Sequence, residues 1–154
     1  MLNAPALRRR FGAALALACG LGASGIVHAI EYRSVSAPAI LYDSPSEKGK
    51  RLFIVATGTP VEVIVSLDKW IKVREPAGSI NWIERSALST KRTVQVSATR
   101  AVIRKQPTES SAAVFEAAKD VLLELADAPA DGWAKVRHAD GASGYIRVNE
   151  VWGL

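Results

Sequence analysis

The residues best equipped for chemistry come in two matched sets. Trp70-Ile71-Lys72-Val73-Arg74 returns as Trp133-Ala134-Lys135-Val136-Arg137, 63 positions later, and Trp82 returns as a second aromatic, Tyr145, at the same offset. Rings flanked by lysine and arginine suit gripping: the faces stack on an extended chain and the cations pair with carboxylates. The equipment for bond making is missing. The chain holds two histidines, His28 and His138, and one cysteine, Cys19. Of these only His138 lies outside an N-terminal segment expected to be removed, so a His–Cys zinc centre lacks ligands and a Ser–His pair has one base to draw on. His138 aligns with Glu75 at the mouth of a hairpin, where a solvated turn residue is expected rather than a base with a positioned partner. Asp43, Glu62, Asp68, Glu84, Asp120 and Glu124 stand singly, without a paired acid and base, and no Gly-rich phosphate loop is present. The sequence therefore points to no catalytic residue, metal ligand or cofactor. Its candidate ligand-binding residues are Tyr42, Trp70, Trp82, Trp133 and Tyr145.

The elements that must position these rings are duplicated with them. Gly78 recurs as Gly141 and Ile83 as Ile146. Further upstream the offset is 62: Pro45-Ser46-Glu47 answers to Pro107-Thr108-Glu109, Phe53 to Phe115, and Val61-Glu62-Val63 to Leu123-Glu124-Leu125. Pro60 to Leu67 alternates, with Val61, Val63, Val65 and Leu67 expected on one side of a strand; Val121, Leu123 and Leu125 repeat the pattern. Ile40-Leu41-Tyr42 and Ala101-Val102-Ile103 precede proline-bearing loops, which sets Tyr42 against Ile103 and Asp43 against Arg104. Leu52 to Val55 and Val114-Phe115 are further short strands, and Ala77-Gly78 and Asp140-Gly141 punctuate hairpins. Ser111 to Leu125 is rich in helix formers, but its counterpart holds Val, Thr, Gly58 and Pro60, and the repeat favours strands. Short strands without a long helix describe an all-β chain of two small barrels.

A W-x-K-V-R strand, a glycine turn, an aromatic-Ile strand and a closing Ala-Leu or Glu-Val, at Trp70 to Leu88 and Trp133 to Val151, resemble the bacterial SH3-like domain in tandem. The resemblance covers nearly all of 32–152. It implies two SH3-like barrels, at 30–89 and 94–154, joined by a polar linker at 90–93. Two copies behind an export signal, ending in Val151-Trp152-Gly153, are similar to a group of exported proteobacterial SH3-domain proteins. One departure is Asn81, where the pattern has the glycine kept at Gly144; the copy-one hairpin is expected to turn differently.

Residues 1–29 have the makeup of a signal peptide. Arg8-Arg9-Arg10 is a basic start, 11–27 is apolar or small, and Val27-His28-Ala29 presents small residues for cleavage after Ala29. Arg8-Arg9-Arg10-Phe11 also fits a twin-arginine signal. A periplasmic or secreted protein follows, without a membrane span after processing; the alternative is an inner-membrane anchor formed by 11–27, which is short for a span of roughly 20 residues. The chain has 20 basic and 15 acidic residues, net +5, and losing the three arginines leaves 17 against 15, net +2. That residue of positive charge, spread over short clusters such as Lys48-Gly49-Lys50-Arg51 and Lys91-Arg92, is no nucleic-acid footprint.

Alternation places Ile71, Val73, Ile83, Ala134, Val136 and Ile146 inward. It turns Trp70, Lys72, Arg74, Trp82 and Glu84 outward in copy one, and Trp133, Lys135, Arg137, Tyr145 and Arg147 outward in copy two. Outward rings have three readings: cover for a core too small to close itself, an interface between the copies, or a recognition groove with Tyr42 beside Trp82. SH3-like domains as a class use aromatics near the first loop to grip extended peptides, which makes copy one the better groove. The expectation is a non-catalytic exported binding protein. Its partner would be a cell-wall stem peptide of peptidoglycan or an extended segment of an envelope protein. The alternative is an assembly subunit of an envelope complex that packs through its aromatics, and an accessory role in cell-wall hydrolysis is the remote third.

Overall fold

The structure is a computed structural model describing residues 30–154; the expected signal segment lies outside the described residues. Fourteen strands fall into two sets of seven. Copy one contains β1 (Tyr32–Val35), β2 (Ala39–Tyr42), β3 (Arg51–Val55), β4 (Pro60–Ser66), β5 (Trp70–Arg74), β6 (Ile80–Glu84) and β7 (Leu88–Ser89). Copy two contains β8 (Thr93–Val96), β9 (Arg100–Arg104), β10 (Ala113–Ala118), β11 (Leu122–Leu125), β12 (Trp133–Arg137), β13 (Ser143–Arg147) and β14 (Val151–Trp152). A 3-10 turn, Arg85–Ala87 or Val148–Glu150, precedes the last strand of each.

The sheet orders are β3-β2-β6-β5-β4-β1-β7 and β10-β9-β13-β12-β11-β8-β14, the same order shifted by one copy. All pairings are antiparallel among the described strands. Every inward position expected on β5, β6, β12 and β13 is fully buried. The cores correspond residue for residue: Val35 to Val96, Leu41 to Ile103, Val55 to Ala117, Val61 to Leu123, Ile71 to Ala134, Val73 to Val136 and Ile83 to Ile146. Where copy two is smaller, at Ala117 and Ala134, Leu123 is larger, and Phe115 and Leu154 pack against the cluster.

Two expectations change. The alternation along β4 stops at a bulge between Val63 and Val65, and the register resumes as Val65↔Lys72 and Ser66↔Ile71. The extra residue turns the rest of the strand over, so Val65 and Leu67 are exposed rather than inward. The copy-one hairpin, expected to differ because of Asn81, turns as its counterpart does. Glu75 N–H donates to Ser79 O and Gly78 N–H to Glu75 O, as His138 N–H donates to Ala142 O and Gly141 N–H to His138 O. Gly78 and Gly141 have φ of 96° and 95°. The turn is set by those glycines; residue 81 lies beyond it, on β6.

The copies are joined around the linker, which bonds to both of them. Thr93 Oγ1 donates to Gly58 O at 2.7 Å, Ser34 Oγ to Lys91 O at 2.5 Å, and Arg92 Nη2 to Gly153 O at 2.8 Å. Tyr32 meets Trp152 edge to face at 5.1 Å, with the Arg92 guanidinium over the Tyr32 ring at 5.6 Å. Gly153, at φ 109°, lies so close to copy one that a Cβ there would stand 2.9 Å from Pro60 Cβ.

Candidate functional site

The outward rings lie on β2, β5 and β6 and on their counterparts. Tyr42 closes β2 rather than lying in the loop after it, and its register partner is Trp82. It is nearly buried, 6% exposed, with its ring edge to face with Trp70 at 5.2 Å. Trp70 and Trp82 are half-buried, and Lys72 Nζ lies 5.7 Å from the centre of the Trp82 ring. The structure thus brings Tyr42, Trp70 and Trp82 together on one copy. In copy two, Tyr145 is half-buried beside Trp133, while Trp133, expected outward, is only 6% exposed. Arg147 covers one side, its guanidinium 4.3 Å above the indole, and the 127–131 loop, which bridges to Trp133 through Ala130, lies beside it. The partners of these rings lie within their own copies, so the Trp70, Trp82, Trp133 and Tyr145 side chains do not build the contact between copies; Tyr32 and Trp152 do.

The copy-two counterpart of Tyr42 is Arg104, and that of Leu41 is Ile103; the sequence comparison had set Ile103 against Tyr42. Leu41 and Ile103 both pair with a phenylalanine, Phe53 and Phe115, and Tyr42 and Arg104 both pair with the aromatic of the sixth strand, Trp82 and Tyr145. The offset of 62 therefore runs through β2 without a slip. The following loops agree: Asp43 N–H donates to Lys50 O, Ser46 N–H to Ser44 O and Gly49 N–H to Ser46 O. Lys105 N–H to Ala112 O, Thr108 N–H to Gln106 O and Ser111 N–H to Thr108 O repeat this. Glu47 and Glu109 consequently occupy the same place in the two loops.

Beside Trp70 a groove of about 410 Å³ is lined by Glu47, Asp68, Lys69, Trp70, Glu84, Arg85 and Ser86. Copy two has its counterpart, also about 410 Å³, bounded by Glu109, Gly132, Arg147, Val148, Asn149 and Glu150, but Trp133 does not line it: Arg147 lies over the ring on that side, and the indole borders a separate cavity of about 300 Å³ with Pro107, Asp127 and Tyr145. Glu47, Glu84 and Arg147 are not among the binding residues that the sequence singles out. The signal available was the change of sign from Glu84 to Arg147 directly across the ladder from the repeated tryptophan.

Polar groups elsewhere have structural partners. Glu62 binds Arg74 at 2.7 Å, and Glu124 binds Lys91 at 2.9 Å and Arg137 at 3.0 Å. The Glu124 carboxyl is held below its ordinary value, chiefly by the Lys91 hydrogen bond. His138 Nδ1 is 3.1 Å from Asp140 Oδ1 in the hairpin turn, and Asp140 is lowered first by the Ala142 N–H and then by His138. Burial raises the Tyr32 hydroxyl, with Glu62 adding to the effect. Among the described residues no group of three or more His, Cys, Asp or Glu side chains is arranged to hold a metal ion, and no helix is long and apolar enough to cross a membrane.

The bacterial SH3 domain family matches the chain twice, over residues 35–90 and 97–153, and the chain belongs to that family. Among solved structures it is similar to NlpC1 from Trichomonas vaginalis, with 16% identity over 84% of this chain and 48% of that one, at a TM-score of 0.38. NlpC2 from the same organism gives 14% identity over 80% and 48%, at 0.36. An NlpC/P60 family protein from Bacillus cereus gives 16% over 79% and 56%, at 0.37. The chain spans about half the length of these solved proteins. No match is found among curated proteins.

Proposed function

We propose that this chain is a non-catalytic, exported binding protein whose first copy grips an extended peptide of the cell envelope, a cell-wall stem peptide or a segment of an envelope protein. One observation carries the reading: the open apolar surface belongs almost wholly to copy one. Leu52, Phe53, Ile54, Ile64, Val65, Leu67 and Ile80 are all exposed there, whereas Val114 is the one large exposed apolar side chain of copy two among the described residues. A scaffold needing only stability would bury both copies alike; apolar surface confined to one of two equivalent barrels marks contact with something else. Arginine and lysine beside the rings suit the carboxylates and backbone carbonyls of a peptide. The test is retention of the purified protein on isolated peptidoglycan at low salt. Retention lost on Trp70→Ala and Trp82→Ala, and kept on Tyr145→Ala, is expected; no retention of the unaltered protein rejects the wall as ligand.

A second reading, an assembly subunit, is favoured by β3. This strand ends its sheet and leaves one edge unpaired, and it is exposed over Arg51 to Ile54, with Ile54 70% exposed. Edge strands of this kind accept a strand from a partner. Loss of a co-purifying envelope protein on Ile54→Lys, with peptidoglycan retention unchanged, would select this reading.

A further inference from the structure

We infer that the Trp70 groove of copy one takes a cationic side chain, a guanidinium or ammonium carried by the bound peptide, held between the indole and the carboxylates of Glu47 and Glu84. The inference rests on the reading of copy one as the gripping copy and names what is gripped.

Copy two displays the occupied form of the same site. Trp133 and Arg147 face each other across the β12–β13 ladder, and the guanidinium lies 4.3 Å above the ring centre. Arg147 Nε donates to Glu109 Oε1 at 2.6 Å, and its Nη2 pairs with the same carboxylate. Arg104 joins from the other side, 3.6 Å from Glu109 Oε2. The result is a cation between an aromatic face and a carboxylate, and it keeps Trp133 out of the groove.

Copy one retains the receiving half of that arrangement and lacks the cation. Trp70 stands for Trp133 and Glu47 for Glu109, but the residue across the ladder from Trp70 is Glu84. Tyr42 replaces Arg104, so the second cation is gone as well. Glu47 and Glu84 take part in none of the ion pairs among the described residues, and the closest hydrogen bond to Glu84 comes from Ser86 Oγ at 3.4 Å. Two cations line the groove. Arg85 is tied to backbone, its Nε donating to Asp68 O at 2.8 Å and its Nη2 to Leu67 O at 2.5 Å. Lys69 pairs with neither glutamate. With Asp68 the wall carries three carboxylates against two cations. An indole face flanked by carboxylates without a counter-charge favours a cation with a planar or alkyl stem, since the stem packs on the ring while the charge meets the acids.

The experiment is a titration of the isotope-labelled protein, followed through the indole N–H signals, with a blocked Gly-Arg-Gly peptide and with the same peptide carrying neutral citrulline. The arginine peptide is expected to shift the Trp70 signal, and the citrulline peptide to bind at least about tenfold more weakly. Glu84→Arg installs the copy-two residue and should close the groove, with a similar loss. Glu84→Gln, an isosteric surface change that keeps the fold, should weaken arginine binding by about threefold or more. The reciprocal Arg147→Glu should make Trp133 respond as a second site. Equal binding of the two peptides at Trp70 overturns the inference while leaving peptide recognition standing. Binding unaltered by both Glu84 variants overturns it too, as does a protein retained on peptidoglycan that responds to neither peptide. A protein that neither peptide nor peptidoglycan touches sinks the broader reading as well.

Discussion

Copy two holds its tryptophan under its own arginine, whereas copy one leaves the equivalent ring half-buried at the wall of a groove. The two barrels share strand order, hairpin geometry and seven matched core positions, so the scaffold cannot account for the difference. It resides in a few outward positions: Tyr42 against Arg104, Glu84 against Arg147, and Glu75 against His138. The last pair acts through a neighbour. His138 lies 5.8 Å from Phe115, which packs against its core, while Phe53, lacking such a partner, is 43% exposed. A duplicated fold thus supports one copy closed upon itself and one copy left sticky. Closure in copy two comes from charges that a sequence comparison counts only as substitutions.

Breaking the closed copy should cost more than breaking the open one. Trp133→Ala removes a buried indole and its contact with Arg147, and is expected to destabilise by about 3–5 kcal/mol. Trp70→Ala removes a half-exposed ring and one edge-to-face contact, and should cost about 1–2 kcal/mol. Denaturant melts of the two variants measure the gap, and equal losses would dissolve the contrast.

The position before the sixth-strand aromatic sharpens the same point. A Cβ at Gly144 would stand 2.5 Å from Arg104 O and 2.7 Å from Ile103 Cγ2, and the backbone of β9 cannot yield as a surface side chain would. Gly144→Asn should therefore cost about 2–3 kcal/mol through overpacking. The reverse change, Asn81→Gly, should cost under about 1 kcal/mol, mostly in backbone entropy. The contact between copies is testable at Gly153. An alanine there is strained at positive φ and meets Pro60, for a loss of about 1–2 kcal/mol. Thermal unfolding of Gly153→Ala should show a lower midpoint.

The smallest effect expected is that of pH on Glu124. Its carboxyl is depressed in the folded protein, so the group stabilises the fold above its ordinary value of 4.5, and that contribution fades as pH falls through the lower folded value. Being partly exposed, it should be worth under about 1 kcal/mol. Glu124→Gln should flatten the acid limb of the stability curve by that amount and leave neutral-pH binding unchanged.

Much of the scaffold was legible in the sequence. The recurrence of Trp-x-Lys-Val-Arg and the period-two apolar positions on β5, β6, β12 and β13 fix which side chains face inward, because neighbouring residues of a strand point to opposite faces whatever surrounds it. The repeat also forbade a helix over Ser111 to Leu125, and strands β10 and β11 are found there. Beyond the reach of pattern was the bulge at Val63–Val65, which inverts the end of β4; the copy-two counterpart of Tyr42, Arg104, follows from the offset of 62, and the ladder pairs Tyr42↔Trp82 and Arg104↔Tyr145 agree with it. The bulge is a matter of register, and register is decided by pairing across strands distant in the chain. The closing of Trp133 by Arg147 is of the same kind. The sequence by itself determined a twice-used barrel and the residues of its core; tertiary structure alone decided which tryptophan is covered, because cover depends on a guanidinium reaching across a ladder to a carboxylate in another loop.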